Sequence, residues 1–372
     1  MSFRIPLSSP DITDAEIAAV TAVLRTPNLS LGPEQAAFET ALANYHAVPH
    51  AVAVSSGTAG LHLALLTLGI GEGDEVIVPS FAFVAVANAI AYVRATPVFA
   101  EIDPVTLNLD PVSVQQAVTQ RTRAILAVHT FGVPAQMDKL REIATRHNLV
   151  VIEDACEAIG AEYNGRRAGG FGDLAVFGFY PNKQLTTGEG GIVLAGNADH
   201  ADRLRSLRNQ GRAARAGWLD HVEIGYNYRL SDIACALGRV QLSRINEILA
   251  LRRAAAERYR DLLSDIPGLA LPPLRLPDRT ISWFVYVVRL PKGIDRDRVQ
   301  QALAGREIAT GRYFPPIHQQ PAWSDHPGAS VSLSITESIS RRTLALPFFT
   351  RITAAQQQQV AGELRDVLDA WT

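Results

Sequence analysis

The chain has 372 residues, with 35 Lys plus Arg against 37 Asp plus Glu, a net charge of −2 and 47% hydrophobic residues. That balance excludes the basic excess that nucleic-acid and anionic-membrane binders need, and no apolar run approaches the roughly 18 residues of a membrane span. Cys156 and Cys235 cannot build a disulfide framework, and MSFRIPLSSPDITDAE has no basic start followed by an apolar run, so the chain reads as a cytoplasmic, enzyme-sized globular protein of about two domains.

The first helix is announced by Thr13-Asp14-Ala15-Glu16, a capping box, with Ile17, Val20 and Leu24 following at helical spacing. From residue 51 to 195, short apolar runs alternate with helical patterns. The runs are AVAV (51–54), EVIVP (75–79), TPVFA (96–100), RAILAV (123–128), LVVIE (149–153), LAVFGF (174–179) and GIVLA (191–195). Most do not alternate in polarity and are rich in Val, Ile and Ala, as strands buried on both faces are. Helices at about 59–68, 81–92 and 137–146 lie between them. The pattern predicts an open, largely parallel α/β sheet. The last two runs are joined by a short segment without a helix, so at least one of them is expected to run antiparallel. Residues 197–210 and 229–263 read as helices. The proline-rich IPGLALPPLRLPD marks a boundary or surface connection. Beyond it, ISWFVYVVRL reads as a strand, and helical patterns at 295–304 and 354–370 suggest a smaller α/β unit.

Several chemistries have no motif here. No G-x-G-x-x-G follows the first run, and neither a phosphate-binding G-x-x-x-x-G-K-[ST] nor a G-x-S-x-G elbow occurs. The nine histidines are scattered without metal-ligand spacing, so no metal site is expected. His129, after RAILAV, reads as structural, and Cys156 as packing rather than as a nucleophile.

Other features point to a site. AVAV runs into Ser55-Ser56-Gly57-Thr58-Ala59-Gly60 and then into LHLALLTL. A small-residue turn opening a helix presents free N–H groups and suits a phosphate, although an ordinary N-capped start reads the same way. LVVIE ends in Asp154, which either meets a ligand beyond the strand ends or caps the next turn. Of the basic residues only Lys139, Lys183 and Lys292 are lysines. In a chain that uses Arg for generic charge, a retained lysine can do what guanidinium cannot, namely condense with a carbonyl. Lys139 and Lys292 read as surface residues. Lys183 sits in FGFYPNKQLTTGEGG, which links two runs at the sheet edge. A phosphate turn, a strand-end Asp and this Lys form the set needed to hold pyridoxal phosphate (PLP).

These motifs resemble the DegT/DnrJ/EryC1/StrS sugar aminotransferases, which are fold-type-I, aspartate-aminotransferase-like PLP enzymes. LSLGP, FETALANY, VSSGTAGLHLAL, GDEVIVPSFAFVAVANAI, VIEDACEAIGA, FYPNKQLTTGEGG, IGYNYRLSDIACALG and YFPPIHQQP occur in the family's order over nearly the full length. The resemblance implies a mostly parallel seven-stranded sheet in a large PLP-binding domain (13–245). A smaller C-terminal α/β domain (246–372) follows, with residues 1–12 packing beside it. It implies that Lys183 is the Schiff-base lysine and proton shuttle, that Asp154 pairs with the pyridinium nitrogen, that Gly57, Thr58 and Ala59 bind the phosphate, and that Phe83 stacks on the ring. Asn227 would reach the phosphate of the neighbouring subunit in a homodimer, and Arg229, Tyr313 and His318 would lie near a sugar-nucleotide.

Two positions depart from the family's pattern. Gly178 stands where Ser often binds the phosphate. Glu157 stands where His or Gln often contacts the cofactor's 3-oxygen, so it is expected either to be protonated or to turn away. The activity implied is transfer of an amino group from L-glutamate to a nucleotide-linked keto-deoxysugar. GEGG leans towards C4 of a 4-keto-6-deoxyhexose. A 3-keto sugar, a cyclitol ketone or a non-enzymatic regulator are the alternatives, and a sugar dehydratase is disfavoured because its relatives replace the lysine by His.

Overall fold

The computed structural model describes residues 3–213 and 220–370. Helix α1 (Asp14–Leu24) starts at Thr13 with the predicted capping box, and α2 (Pro33–His46) follows with Pro33 at its first turn. The seven apolar runs all form strands of one sheet: β1 (His50–Val54), β2 (Glu75–Pro79), β3 (Thr96–Ala100), β4 (Thr122–Val128), β5 (Val150–Asp154), β6 (Leu174–Gly178) and β7 (Gly191–Ala195). Their order is β1-β7-β6-β5-β4-β2-β3. β2, β3, β4, β5 and β6 pair in parallel, while β7 lies antiparallel between β6 and β1.

Helices α3 (Gly57–Thr67), α4 (Ala85–Tyr92), α5 (Pro111–Ala117), α6 (Met137–His147) and α7 (Ala198–Arg208) cover the sheet. α3 is buried along nearly its whole length, and a Cβ on its Gly60 would come within 2.7 Å of Val176 Cγ1. This close seating lays α3 on β6 and β7 and aims its N-terminus past the strand ends. The apolar stretch expected to be helical from residue 81 becomes helical only at Ala85, because Ser80–Val84 turn out of β2 first.

The segment 229–263 is two helices rather than one: α8 (Asp232–Ser243) and α9 (Ile245–Leu263), broken at Arg244. At the break the Arg244 guanidinium turns back to pair with Asp11 and Glu16 at 2.7 Å each. ISWFVYVVRL contracts to β8 (Tyr286–Arg289), paired antiparallel with β9 (Thr343–Leu346); α10 (Arg296–Gly305), α11 (Ser334–Ser340) and α12 (Ala354–Asp369) complete this part.

We propose a unit boundary at 245/246. Ile245 packs in the core beneath β1 and β7, whereas Ala255, Tyr259 and Leu263 of the same helix pack with β8, β9 and α12. Ile5 pairs with Ile308 and is buried in this C-terminal core, and Leu7 O accepts from the Phe348 N–H at 2.9 Å. Among the described residues no helix is long and apolar enough to cross a membrane.

Candidate active site

The carboxyl ends of the parallel strands open into a cavity of about 350 Å³. Gly57, Thr58, Phe83, Asp154, Glu157, Lys183 and Tyr313 line it. Seven of the residues singled out in the sequence therefore meet in one place, from segments far apart in the chain.

Ser56 caps α3, its Oγ accepting the Ala59 N–H at 3.0 Å. The Gly57 and Thr58 amides have no intrahelical partner by helix geometry, and neither bonds elsewhere among the described residues. The turn is thus an N-cap that also leaves amides available to an anion. Its two free amides are those of Gly57 and Thr58, whereas the Ala59 amide is committed to Ser56. A Cβ at Gly57 would sit 2.9 Å from Cys156 Sγ and 3.3 Å from Gly178 Cα, so the turn lies directly against the ends of β5 and β6.

Asp154 ends β5 in the same dual manner. Its Oδ1 accepts the Cys156 N–H at 3.0 Å, while the residue lines the cavity. Its neighbour Glu153 points to the other face. There it accepts the amides of Gly169, Phe171 and Gly172 and the Nε2–H of His129, whose Nδ1 accepts from Ala135. Burial raises the Glu153 carboxyl pKa, but these donors outweigh it and the net shift is downward. His129 is accordingly a structural residue that locks the loop after β4.

Lys183 follows β6 in a tight turn, its N–H bonded to Tyr180 O at 2.9 Å. Thr186 Oγ1 donates to Phe179 O and accepts from the Gly188 amide, and Thr187 N–H also bonds Phe179 O. This knot fixes the lysine at the sheet edge. The Lys183 amine lies 3.6 Å from Glu157 Oε1 and 3.9 Å from the centre of the Phe284 ring. The other Glu157 oxygen accepts the Phe131 N–H at 2.8 Å. Phe131 is held at φ +57 to make that contact, a conformation that costs a bulky residue about 1–2 kcal/mol. Glu157 therefore faces the Lys183 amine with one oxygen and the Phe131 amide with the other. Burial raises its pKa, opposed by the charge of Lys183. Burial and Asp154 push the Cys156 thiol well up, which fits packing rather than nucleophilic attack.

The remaining sequence candidates lie outside the cavity. Asn227 is exposed and paired with Asn209 through a backbone bridge. Arg229 donates to Asn209 Oδ1 at 3.0 Å. His318 is buried, its Nδ1 2.7 Å from Ser80 Oγ and its Nε2 3.5 Å from Glu337, and it packs beside Phe99. It anchors the segment that follows Tyr313 and Phe314. Sequence reasoning missed Phe284, Phe314, Tyr180 and Asn182, which also line the site. Phe284 was hidden in what read as a strand, and only the approach of the C-terminal unit brings it to Lys183.

The match to the DegT/DnrJ/EryC1/StrS aminotransferase family model runs from residue 10 to residue 365. The chain belongs to this family. GDP-perosamine synthase of Caulobacter vibrioides is 40% identical over 370 residues, covering 98% of both chains. The dTDP-3-amino-3,4,6-trideoxy-alpha-D-glucose transaminase of Streptomyces venezuelae is 40% identical over 351 residues, covering 94% of this chain and 91% of its own. The PLP form of the sugar aminotransferase Spr1654 from Streptococcus pneumoniae superposes with a TM-score of 0.92 at 26% identity, covering 99% of each chain. This protein is an aminotransferase, and PLP is its cofactor.

The cavity fits that cofactor. Two unpaired amides at a helix N-terminus suit a phosphate, a strand-end carboxylate suits a pyridinium nitrogen, and the Lys183 amine lines the same cavity. Phe83 is 62% exposed at the cavity wall, which leaves its ring free to cover another ring.

Proposed function

We propose that this protein transfers the amino group of L-glutamate to C4 of a nucleotide-linked 4-keto-6-deoxyhexose, acting in the cytoplasm as a homodimer with each site at the subunit interface. The observation that carries aminotransfer is the convergence of the Lys183 amine, the Asp154 carboxylate and two free amides in one cavity. The sugar-nucleotide acceptor is supported by the 40% identity to a protein named GDP-perosamine synthase, and C4 by GEGG at 188–191.

When bound, PLP supplies an electron sink conjugated to the substrate nitrogen. The chain's own groups do the rest. The Gly57 and Thr58 amides, at the positive end of the α3 dipole, hold the phosphate. Asp154 keeps the ring nitrogen protonated. Lys183 would take the proton from the donor carbon bearing the amine and hold it at Nζ until it is returned. Glu157 stands beside the amine that must gain and lose this proton. Phe83 covers the ring and excludes water. Tyr313, which lines the cavity, would contact the sugar-nucleotide. Asn227 and Arg229 serve the phosphate and the sugar-nucleotide across the dimer, which fits the exposure of Asn227.

The test has two stages. Loaded enzyme with L-glutamate and no acceptor should release one equivalent of 2-oxoglutarate per cofactor; no release refutes the donor assignment. Nucleotide 4-keto-6-deoxyhexoses are then offered, and the position of the new amine is read by NMR. The name of the Streptomyces relative puts its amine at C3, so a 3-keto sugar is the second reading. Turnover of 3-keto acceptors alone would select it.

A further inference from the structure

Arg252 is the largest fully buried side chain of the molecule among the described residues, at 2% exposure, and pairs with no carboxylate among them. An uncompensated buried cation is expensive unless its donors are fully engaged. Here they are. Nε donates to Trp283 O at 2.8 Å, Nη2 to Phe284 O at 2.7 Å and Nη1 to Thr350 Oγ1 at 3.1 Å, and the guanidinium carbon lies 5.2 Å from the centre of the Phe348 ring. Burial pulls its pKa down to about 10.

The two carbonyls it grips belong to an unusual bend. Trp283 is held at φ +54, a region that bulky L-residues avoid. On the near side, Ser282 Oγ donates to Glu157 O at 3.2 Å and accepts from Gln184 Nε2 at 2.8 Å. The bend is therefore tied at Ser282 to the segments carrying Glu157 and Lys183, and at Trp283 and Phe284 to α9. Its product is the position of one ring: Phe284 covers the Lys183 amine at 3.9 Å and stacks on Tyr313 at an interplanar angle of 4°.

We propose that Arg252 is a positioning residue for the reaction: by clamping the Trp283 and Phe284 carbonyls, it keeps the Phe284 ring over the Lys183 amine. This rests on Lys183 being the reactive amine. Fork geometry explains why the position takes an arginine, since one guanidinium reaches two successive carbonyls and a hydroxyl that a single ammonium cannot span. The ring then shields the amine on the side facing the C-terminal unit.

The experiment uses the low lysine content of the chain. Cofactor-free, full-length protein is treated briefly with acetic anhydride, and acetylation of Lys183 is read by peptide mass spectrometry relative to Lys139, an exposed reference in the same molecule. Phe284→Leu removes the ring and should raise the Lys183-to-Lys139 ratio by about threefold to tenfold. Arg252→Met should raise it equally, and the double variant should exceed neither. Tyr259→Phe, which cuts a buried bond from the same helix to Pro347 O, should leave the ratio at the wild-type value.

A wild-type ratio in Arg252→Met, a double variant equal to the product of the singles, or an equal rise in Tyr259→Phe each overturns the proposal. If Arg252→Met does not fold, Arg252→Lys enters the same cycle, and a wild-type ratio there overturns it likewise. The labelling needs no turnover. A failed glutamate or acceptor assay beside an intact labelling cycle would refute the proposed function and leave the clamp standing.

Discussion

Glu16 offers a quantitative test of the contacts that hold the N-terminal helix against the cofactor-binding unit. It is the third residue of α1 and only 1% exposed. One carboxylate oxygen accepts the Thr13 N–H at 2.8 Å and the Thr13 hydroxyl. The other accepts Gln241 Nε2 at 2.8 Å and Arg244 Nη1 at 2.7 Å. Burial alone would raise its pKa. The donors from Thr13, Arg244 and Gln241 overcome that and bring it from 4.5 to about 2. A carboxyl whose folded pKa is depressed contributes stability that is fully present above its unfolded pKa and is lost as pH falls through the folded one. The drop corresponds to roughly 3 kcal/mol at neutral pH.

Glu16→Gln keeps the shape and one acceptor but loses the charge. It should therefore destabilise the protein by about 2–3 kcal/mol at pH 7. Urea unfolding of both proteins, at one protein concentration and a series of pH values, checks this. The gap between them should narrow by roughly 1 kcal/mol between pH 7 and pH 3.5, and further towards pH 2. A gap that stays constant across that range would refute the charge argument and leave only a shape effect.

Four further substitutions have expected outcomes. Lys183→Ala should abolish release of 2-oxoglutarate from glutamate, while Asp154→Asn, which still accepts the Cys156 amide, should fold normally and lower kcat by about 10²–10⁴-fold. A normal rate in either removes that residue from the mechanism. Gly178→Ser restores a hydroxyl near the phosphate turn, but its Cβ would lie 3.2 Å from Cys156 Sγ. The serine should tighten PLP binding by about tenfold only when combined with Cys156→Ala, measured as Kd by fluorescence titration. Equal tightening by the single change would show that the sulfur imposes no restriction. Glu153→Gln leaves buried amides of Gly169, Phe171 and Gly172 poorly served and should cost about 2–4 kcal/mol at pH 7. Because its folded pKa is also depressed, the deficit should shrink below pH 4.5, and a melting-temperature difference that grows on acidification would contradict the assignment.

Local chemistry in the sequence determined a good deal about this protein. The seven strands were legible because a strand buried on both faces must be apolar throughout, and a reversal in the last two was legible because no helix separates β6 from β7, although only the pairing shows that β7 is the reversed one. The α1 capping box was legible because its two partners are three residues apart. Gly57, Asp154 and Lys183 were legible because each sits where a strand stops, and strand ends of a parallel sheet face a common crevice.

Tertiary structure alone decided the rest. Arg244, at the break between α8 and α9, pairs with Asp11 and Glu16, more than two hundred residues away, and no local propensity records that pairing. Phe284 meets Lys183 because the C-terminal unit lies against the sheet edge, and Glu157 meets it because the segments after β5 and β6 come together, whereas His318 is claimed by Ser80. Arg252 reads in sequence as one more arginine on a helix. Its burial, and the carbonyls it grips, exist only once α9 lies behind the bend at Trp283. Periodicity and strand-end position are written along the chain, but which distant group takes a given donor is settled only when the folded backbone brings the two within reach.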